Sequence, residues 1–241
     1  YLSVRRLPPF FEHRNRIVYR LIETVKSRGE IQHPTVRAVM EFLELDGLEI
    51  HHDGDLPARS GMGTSSAFTV GLLHACRALR GEIVTKAQLS SEAVHIEQAV
   101  LKENVGVQDQ LAAAHGGLNR FDFSREGVIR VQPIPASRDT LTQLARRLHL
   151  YHLGPRPAGT TASTFARSYE FEDNSSRLQT MAALVDEALA AISRGDIDAI
   201  GPLLLDSWRL KREIGSVSTP AVESFCDAML AAGATGVKSL G

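Results

Sequence analysis

One stretch constrains the fold more than any other: "DLPARSGMGTSSAFTVGLLHACRAL", residues 55–79. In it, a turn rich in glycine and hydroxyl side chains runs directly into an apolar segment with helical spacing. The first turn of a helix leaves about four backbone N–H groups without partners, and the aligned peptide dipoles place partial positive charge there. Glycines at 61 and 63 leave room for a bulky anion close to that backbone. The stretch therefore predicts a helix from about Ser65 to Arg80 with a candidate phosphate-binding turn at its start.

The same residues also suit an ordinary capped helix, because serine and threonine are good N-cap residues and glycine forms turns. If phosphate binds instead, Thr64, Ser65 and Ser66 can donate hydrogen bonds to it or ligate Mg²⁺, a cation that prefers oxygen. The spacing differs from the G-x-x-x-x-G-K-[ST] loop, since no lysine follows the second glycine, and from the G-x-G-x-x-G turn of dinucleotide folds. Taken alone, the turn leaves capping and phosphate binding both open.

Two acidic residues in "HIEQAVLKENVGVQDQ" are the second candidate feature. Glu97 lies within a predicted helix, and Asp109 follows the break at Gly106, twelve positions after Glu97 (109 − 97). Phosphoryl transfer requires neutralisation of phosphate charge and a well-placed acceptor hydroxyl, whose proton an acidic group can accept. One carboxylate on Mg²⁺ and another near the nucleophile would meet both needs. Each residue on its own also fits a solvated helix carboxylate.

The order of predicted elements separates the chain into two regions. Helix and strand patterns are mixed in the first, with a helix over 17–27 and strands at "LNRFDF", "GVIRVQPI" and "LHLYHLG". After Gly154, four segments with helical spacing follow one another. This order predicts an α+β architecture of two lobes, with a boundary near 136–161.

Composition narrows the choice of partners. A formal net charge of −1 gives no general attraction to nucleic acid or to an anionic membrane. The longest apolar run, around 68–73, is far shorter than the ~20 residues of a membrane span. Cys76 and Cys226 fit buried thiols in a reducing compartment. We therefore expect a cytoplasmic protein whose partner is a small molecule, with a homodimer left open.

These segments resemble a known family. "PARSGMGTSSA", residues 57–67, is similar to the P-x-x-x-G-L-G-S-S-A-A signature of the GHMP small-molecule kinases, with Met62, Thr64 and Ser66 departing mildly from it. "VGVQDQLAAAHGG" resembles the segment of the sugar-kinase branch that carries the catalytic aspartate. With "EIQHPTVRAVMEFL" and "DSWRLKREI", the likeness is greatest to the D-glycero-D-manno-heptose 7-phosphate kinases and covers most of the chain.

The resemblance implies a two-lobed GHMP kinase fold, with a mixed sheet and helix ATP-binding lobe at 1–150 and a mostly helical C-terminal lobe at 151–241. Because the family's opening strand and its C-terminal glycine-rich motif have no match here, we expect truncation at both ends. Asp109 would orient or deprotonate the sugar hydroxyl, and Ser65 and Glu97 would hold Mg²⁺. The residues implied to bind ATP are Pro57, Gly61, Met62, Gly63, Thr64, Ser65 and Ser66.

Arg156 and Lys211 are candidates for binding an anionic acceptor, because arginine grips phosphate bidentately and lysine supplies a point charge. Solvated surface positions are the plainer interpretation of both. The implied activity is ATP-dependent phosphorylation of a sugar or sugar phosphate, at the anomeric hydroxyl of D-glycero-D-manno-heptose 7-phosphate, in nucleotide-activated heptose synthesis for cell-surface polysaccharide. Two alternatives stay open: another acceptor (a hexose, fucose or a mevalonate-type alcohol), or a non-catalytic binding protein that keeps the fold.

Overall fold

The structure, a computed structural model, describes residues 1–56, 61–154, 171–215 and 218–239. Two of the candidate site residues, Pro57 and Arg156, lie outside these ranges. The chain divides into two compact units, Tyr1–Gly117 and Leu118–Gly241. The division of the kinase lobes near residue 150 stays a prediction.

A four-stranded sheet forms one side of the first unit. Its strands β1 (Leu2–Arg6), β2 (Asn15–Val18), β3 (Ile22–Val25) and β4 (Leu48–His52) lie in the order β1-β4-β2-β3. Strands β4 and β2 are parallel, and the two outer pairs are antiparallel.

The helix predicted over 17–27 is wrong, because β2 and β3 form a hairpin there. The backbone N–H of Tyr19 donates to the carbonyl of Leu21 at 2.9 Å and closes its turn. Ile17 and Val25 both pack into the core from this hairpin. Their spacing fits a helix as well as two short strands, and pairing with β4 decides between them.

A buried carboxylate joins three strands of this sheet. Glu49 on β4 accepts a hydrogen bond from Arg5 of β1 at 2.7 Å and one from Arg16 of β2 at 2.6 Å. Nε2 of His51 also lies 2.7 Å from this carboxylate. The hydrogen bond with His51, followed by those from the two arginines, lowers the pKa of Glu49 to about 2. The carboxylate therefore stays charged and links β4 to both of its neighbours.

The helices of the first unit share one hydrophobic core with the sheet. They are α1 (Pro34–Phe42), α2 (Thr64–Leu79), α3 (Lys86–Val94) and α4 (Gln108–His115). The helix predicted at 65–80 is confirmed within one residue, and α4 ends at Gly116 as expected. A common core joins them, formed by Ile17, Val39, Met40, Leu48, Ile50, Leu72, Leu73 and Ile96 among others.

The second unit is a hairpin followed by helices. It contains β5 (Asn119–Phe123) and β6 (Ile129–Pro133), then α5 (Arg138–Arg147), α6 (Phe171–Arg194), α7 (Ile200–Ile214) and α8 (Pro220–Ala231). Both predicted hairpin strands are confirmed. The strand predicted at "LHLYHLG" is wrong, since 148–154 forms no regular element. Its leucines are at least half exposed, so the alternating pattern has no buried face to pack against.

The observed elements confirm an α+β fold with a helix-rich second half. Within the described ranges, no helix combines the length and the apolar character needed to cross a membrane.

Candidate active site

The turn before α2 is built on glycines with left-handed backbone. Gly61 has φ +74° and Gly63 has φ +67°, a region that favours glycine strongly over other residues. Gly63 is the N-cap, and its carbonyl accepts the hydrogen bond from the Ala67 N–H at 2.9 Å. Because this N-cap has no side chain, no hydroxyl caps the helix. The N–H groups of the first turn therefore have no side-chain hydroxyl to bond with. Together with the positive end of the helix dipole, they suit an anion.

The three hydroxyl residues lie inside the helix. Thr64, Ser65 and Ser66 are the first three residues of α2, and they differ in exposure. Ser65 is exposed, Thr64 is half-buried, and Ser66 is buried. The N-cap interpretation of these hydroxyls is therefore wrong, and the three side chains face different surroundings.

Ser66 lies against a buried acid and a buried amide. Its hydroxyl donates to Oε2 of Glu97 at 2.9 Å. The side-chain Nε2 of Gln110, from α4, donates to the same oxygen. Glu97 is 1% exposed and Gln110 is fully buried. Two segments far apart in sequence, the start of α2 and α4, thus converge on one carboxylate.

A π-helical turn delivers Glu97 to this position. After Val94 the chain continues as the π-helix His95–Val100, in which the N–H of Leu101 donates to the carbonyl of Ile96 at 2.9 Å. The π-helical turn holds one residue more than an α-turn, and such turns occur frequently at functional sites. The helix that the sequence predicts up to the break at Gly106 ends earlier, at Val100, and it has a π-helical pitch around Glu97.

Asp109 lies directly against the glycine turn. A Cβ built on Gly63 would stand 3.4 Å from Cγ and from Oδ2 of Asp109. Asp109 is exposed in the first turn of α4, so its carboxylate is accessible from solvent. The second glycine of the turn and the predicted catalytic acid are thus neighbours, 46 positions apart in sequence (109 − 63).

A cluster of half-buried rings lies beside the start of α2. Phe68, one turn beyond Ser65, meets the rings of His33 and His52 at centroid distances of 5.0 and 4.8 Å. Tyr19 in turn contacts His33 at 4.9 Å. Burial lowers the pKa of both histidines, which keeps both rings neutral at pH 7. None of these four rings belongs to the set of site residues that the sequence predicts.

The oxygen ligands present here suit a hard cation. Oε1 of Glu97 is buried and has no hydrogen-bond partner among the described residues, so one carboxylate oxygen is left for an outside ligand. Carboxylate and hydroxyl oxygens are the ligands that Mg²⁺ prefers, and it usually keeps water and substrate phosphate as further ligands. Nowhere in the described ranges do three His, Cys, Asp or Glu side chains gather as a metal-binding group. The residues present therefore fit a Mg²⁺ that is shared with a nucleotide.

The structure brings together part of the predicted set. It places Gly63 beside Asp109 and Ser66 beside Glu97. The hydroxyl that contacts Glu97 is that of Ser66, whereas the sequence paired Glu97 with Ser65. Lys211 lies half-buried on α7 in the second unit. Gln110 was missed, and its only signal in the sequence is its position directly after Asp109.

Comparison with known proteins gives a consistent result. Residues 19–117 match the family described as the GHMP kinases N terminal domain, a range that contains the whole cluster around Glu97. The chain is 26% identical over 185 residues to the D-glycero-alpha-D-manno-heptose 7-phosphate kinase of Campylobacter jejuni, covering 75% of this chain and 54% of that protein. It thus spans about half the length of that relative.

Two further likenesses cover most of this chain. A mevalonate kinase of Methanothermobacter thermautotrophicus is 27% identical over 90% of this chain and 72% of its own length. The crystal structure of a D-glycero-D-manno-heptose 1-phosphate kinase from Bacteroides thetaiotaomicron superposes with a TM-score of 0.73 and 19% identity, covering 100% of this chain and 72% of that one. At that identity the structural likeness shows the fold alone.

Proposed function

This chain carries a GHMP kinase N-terminal domain and has the fold of the GHMP kinases, and from that premise we propose that it is a sugar-phosphate kinase. The proposed reaction transfers the terminal phosphoryl group of ATP to the anomeric hydroxyl of D-glycero-D-manno-heptose 7-phosphate. The product would enter nucleotide-activated heptose synthesis in the cytoplasm, for cell-surface polysaccharide. The similarity to the heptose 7-phosphate kinase of Campylobacter jejuni supports this choice of acceptor.

The contact between Asp109 and Gly63 is the observation that carries the proposal. It places a solvent-accessible carboxylate beside the backbone turn that suits phosphate. In phosphoryl transfer the protein mainly positions the reactants and stabilises charge. Asp109 would accept a hydrogen bond from the sugar hydroxyl, orient its oxygen toward the γ-phosphorus, and take its proton as the new P–O bond forms and the bond from that phosphorus to the bridging oxygen breaks to release ADP. The N–H groups at the start of α2 would stabilise the charge on the phosphate oxygens.

Glu97 would hold Mg²⁺ through its unpaired oxygen, with a hydroxyl of Ser65 or Ser66 beside it. Such a cation, when bound, neutralises charge on the β- and γ-phosphates. The remaining turn residues, Pro57, Gly61, Met62 and Thr64, complete the proposed nucleotide site. Arg156 and Lys211 are proposed to bind the phosphate that the acceptor already carries.

Asp109→Asn tests the proposed reaction. The amide keeps the volume of the side chain but cannot accept the proton, so we expect turnover to fall at least about a hundredfold, within the usual contribution of a general base. Affinity for Mg·ATP, measured by calorimetry, should stay within about twofold. Asp139→Asn is the matched control, since Asp139 is likewise an exposed acid in the first turn of a helix, α5.

Turnover of Asp109→Asn near that of the control would remove Asp109 from its role. Failure of the unaltered chain to turn over any acceptor, while it binds Mg·ATP, would favour the non-catalytic binding protein. A second candidate acceptor is a mevalonate-type alcohol, since the mevalonate kinase relative matches this chain at similar identity and over more of its length. Turnover with mevalonate and not with the heptose phosphate would select that acceptor.

A further inference from the structure

The two oxygens of the buried Glu97 carboxylate are in different situations. Oε2 accepts two hydrogen bonds, from the Ser66 hydroxyl at 2.9 Å and from Nε2 of Gln110. Oε1 is buried with no hydrogen-bond partner among the described residues. The two oxygens of a carboxylate are equivalent, so a half-turn of the group restores the same contacts, whereas a smaller rotation takes the shared oxygen away from both donors. The donors therefore fix the direction of the carboxylate, with one oxygen held at the donors and the other left unpaired.

The Gln110 amide has one productive orientation. An amide carries two N–H donors and one carbonyl acceptor, and only the donor side can face a carboxylate oxygen favourably. Gln110 is fully buried, and its own Oε1 has no partner in the described part of the chain. The contact with Glu97 thus sets the orientation of the amide. Hydrogen bonds to charged groups are stronger than those between neutral groups, so this contact can hold a carboxylate in place.

Helix α4 supplies both this amide and the proposed catalytic acid. Asp109 and Gln110 are consecutive, and consecutive helical residues point about 100° apart around the axis, at 3.6 residues per turn. One therefore reaches Gly63 while the other reaches Glu97. A single turn of helix thereby sets the acid and the carboxylate in a fixed relation to each other.

We infer that Gln110, together with Ser66, is a positioning residue that holds Glu97 with Oε1 directed at the divalent cation of the nucleotide. The inference rests on the proposed function, because that function supplies the cation. Gln110 acts only through Glu97 and contacts neither phosphate nor sugar. The Ser66 hydroxyl likewise donates its hydrogen to Glu97, so it cannot donate that hydrogen to a phosphate oxygen.

Gln110→Met removes the donor and nearly keeps the volume of the side chain. The probe is Mn²⁺ with ADP, with bound Mn²⁺ measured by electron paramagnetic resonance on the full chain. We expect the affinity for Mn·ADP to fall about tenfold, equivalent to about 1.4 kcal/mol. Gln108→Met is the matched control, because Gln108 is an exposed glutamine in the same turn, and its affinity should stay within about twofold. Unchanged affinity in folded Gln110→Met overturns the inference.

A double-mutant cycle separates positioning from general damage. In the background of Glu97→Gln, adding Gln110→Met should change the affinity for Mn·ADP by less than about twofold, because the group it positions is already lost. Two residues that act as a unit give such non-additive effects. The same tenfold loss in both backgrounds would mean that Gln110 acts independently of Glu97, and the inference would fail.

Ser66→Ala keeps the test decisive if Gln110→Met does not fold. It removes the second donor at a helical position that suits alanine well. We expect a loss of at least about threefold in Mn·ADP affinity, and no loss would overturn the inference. If the unaltered chain binds no Mn·ADP, the proposed function is wrong, and the inference that rests on it is wrong as well. Binding that Gln110→Met and Ser66→Ala leave unchanged rejects the inference alone.

Discussion

Gly63 illustrates how one residue can serve both the fold and the site. Its positive φ starts α2 without a side-chain cap, and its missing Cβ leaves space for the Asp109 carboxyl group. A serine or asparagine here would cap the helix more conventionally but would stand against that acid. Glycine at this position therefore leaves the start of α2 without a side-chain cap, although a capped start would be more stable.

Gly63→Ala is predicted to impair turnover more than stability. The left-handed backbone costs alanine about 1–2 kcal/mol, and relief of that strain would shift the turn that contacts Asp109, whose position sets the attack on phosphate. We expect turnover to fall at least about tenfold, measured by a coupled assay of ADP release. Gly127→Ala is the control, because Gly127 has φ +81° with open space around it and should lose only stability. Equal turnover in the two variants would contradict the prediction.

The acids Glu97 and Asp109 are easier to identify from the sequence than Gln110, the amide that contacts Glu97. Glu97 and Asp109 are noticeable because a carboxylate has a direct role in phosphoryl transfer. Gln110 carries no charge, and glutamine is common on helix surfaces, so its spacing gave no signal. Its burial against Glu97 arises from the packing of α4 on α2 and α3, which the local sequence does not specify.

At the scale of elements, Arg77 connects α2, which carries Ser66, to α3, which leads into the π-helix of Glu97. From α2 it donates to both carboxylate oxygens of Glu92 on α3, with Nε–Oε2 at 2.9 Å and Nη2–Oε1 at 2.6 Å, and it also contacts Glu82. Such a bidentate pair is geometrically specific, and this one is largely buried. Arg77 thus fixes the relation of the C-terminal part of α2 to the part of α3 that leads into the π-helix of Glu97.

Arg77→Met is predicted to destabilise the protein by about 2–3 kcal/mol, because it leaves Glu92 without its cation in a largely buried place, while Glu82 keeps its ion pair with Arg80. Urea unfolding followed by circular dichroism measures the change. Arg209→Met is the control, since the Arg209–Asp206 pair on α7 is exposed and should contribute less than about 0.5 kcal/mol. If Arg77→Met lowers the free energy of unfolding no more than the control does, the Arg77–Glu92 pair does not stabilise these helices.

At the scale of the whole molecule, every contact of the proposed catalytic cluster lies within the first unit. Gly63, Ser66, Glu97, Asp109 and Gln110 all fall in Tyr1–Gly117 and inside the range of the GHMP kinase domain. Lys211, one of the two residues proposed to bind the acceptor phosphate, belongs to the second unit. The nucleotide and acceptor halves of the proposed function can therefore be tested separately.

Ligand-induced stabilisation of the full chain is predicted to follow this division. At a concentration one hundred times its Kd, Mg·ATP should stabilise the fold by about 2.7 kcal/mol, which raises Tm by several degrees in a chain of this size. Chelation of Mg²⁺ should abolish most of that shift. Heptose 7-phosphate should raise Tm further, and unphosphorylated heptose should do so much less.

Arg156→Met and Lys211→Met extend this measurement to the acceptor phosphate. Each should reduce the difference between the phosphorylated and the neutral heptose while leaving the Mg·ATP shift unchanged. Equal shifts with both sugars in the unaltered chain would contradict the proposed acceptor phosphate. No shift with Mg·ATP would contradict the kinase itself.

The sequence by itself determined the local features of this protein. It located α2, α4 and the β5–β6 hairpin, the glycine turn and the two acids, since backbone preferences and residue chemistry act over a few positions. Periodicity could not distinguish the β2–β3 hairpin from a helix at 17–27, because neighbouring strands decide that choice. Only the tertiary structure decided that Ser66 rather than Ser65 meets Glu97, that Gln110 joins them, and that Asp109 lies on Gly63. Those contacts join residues distant in sequence, and they depend on how the helices pack around a common core.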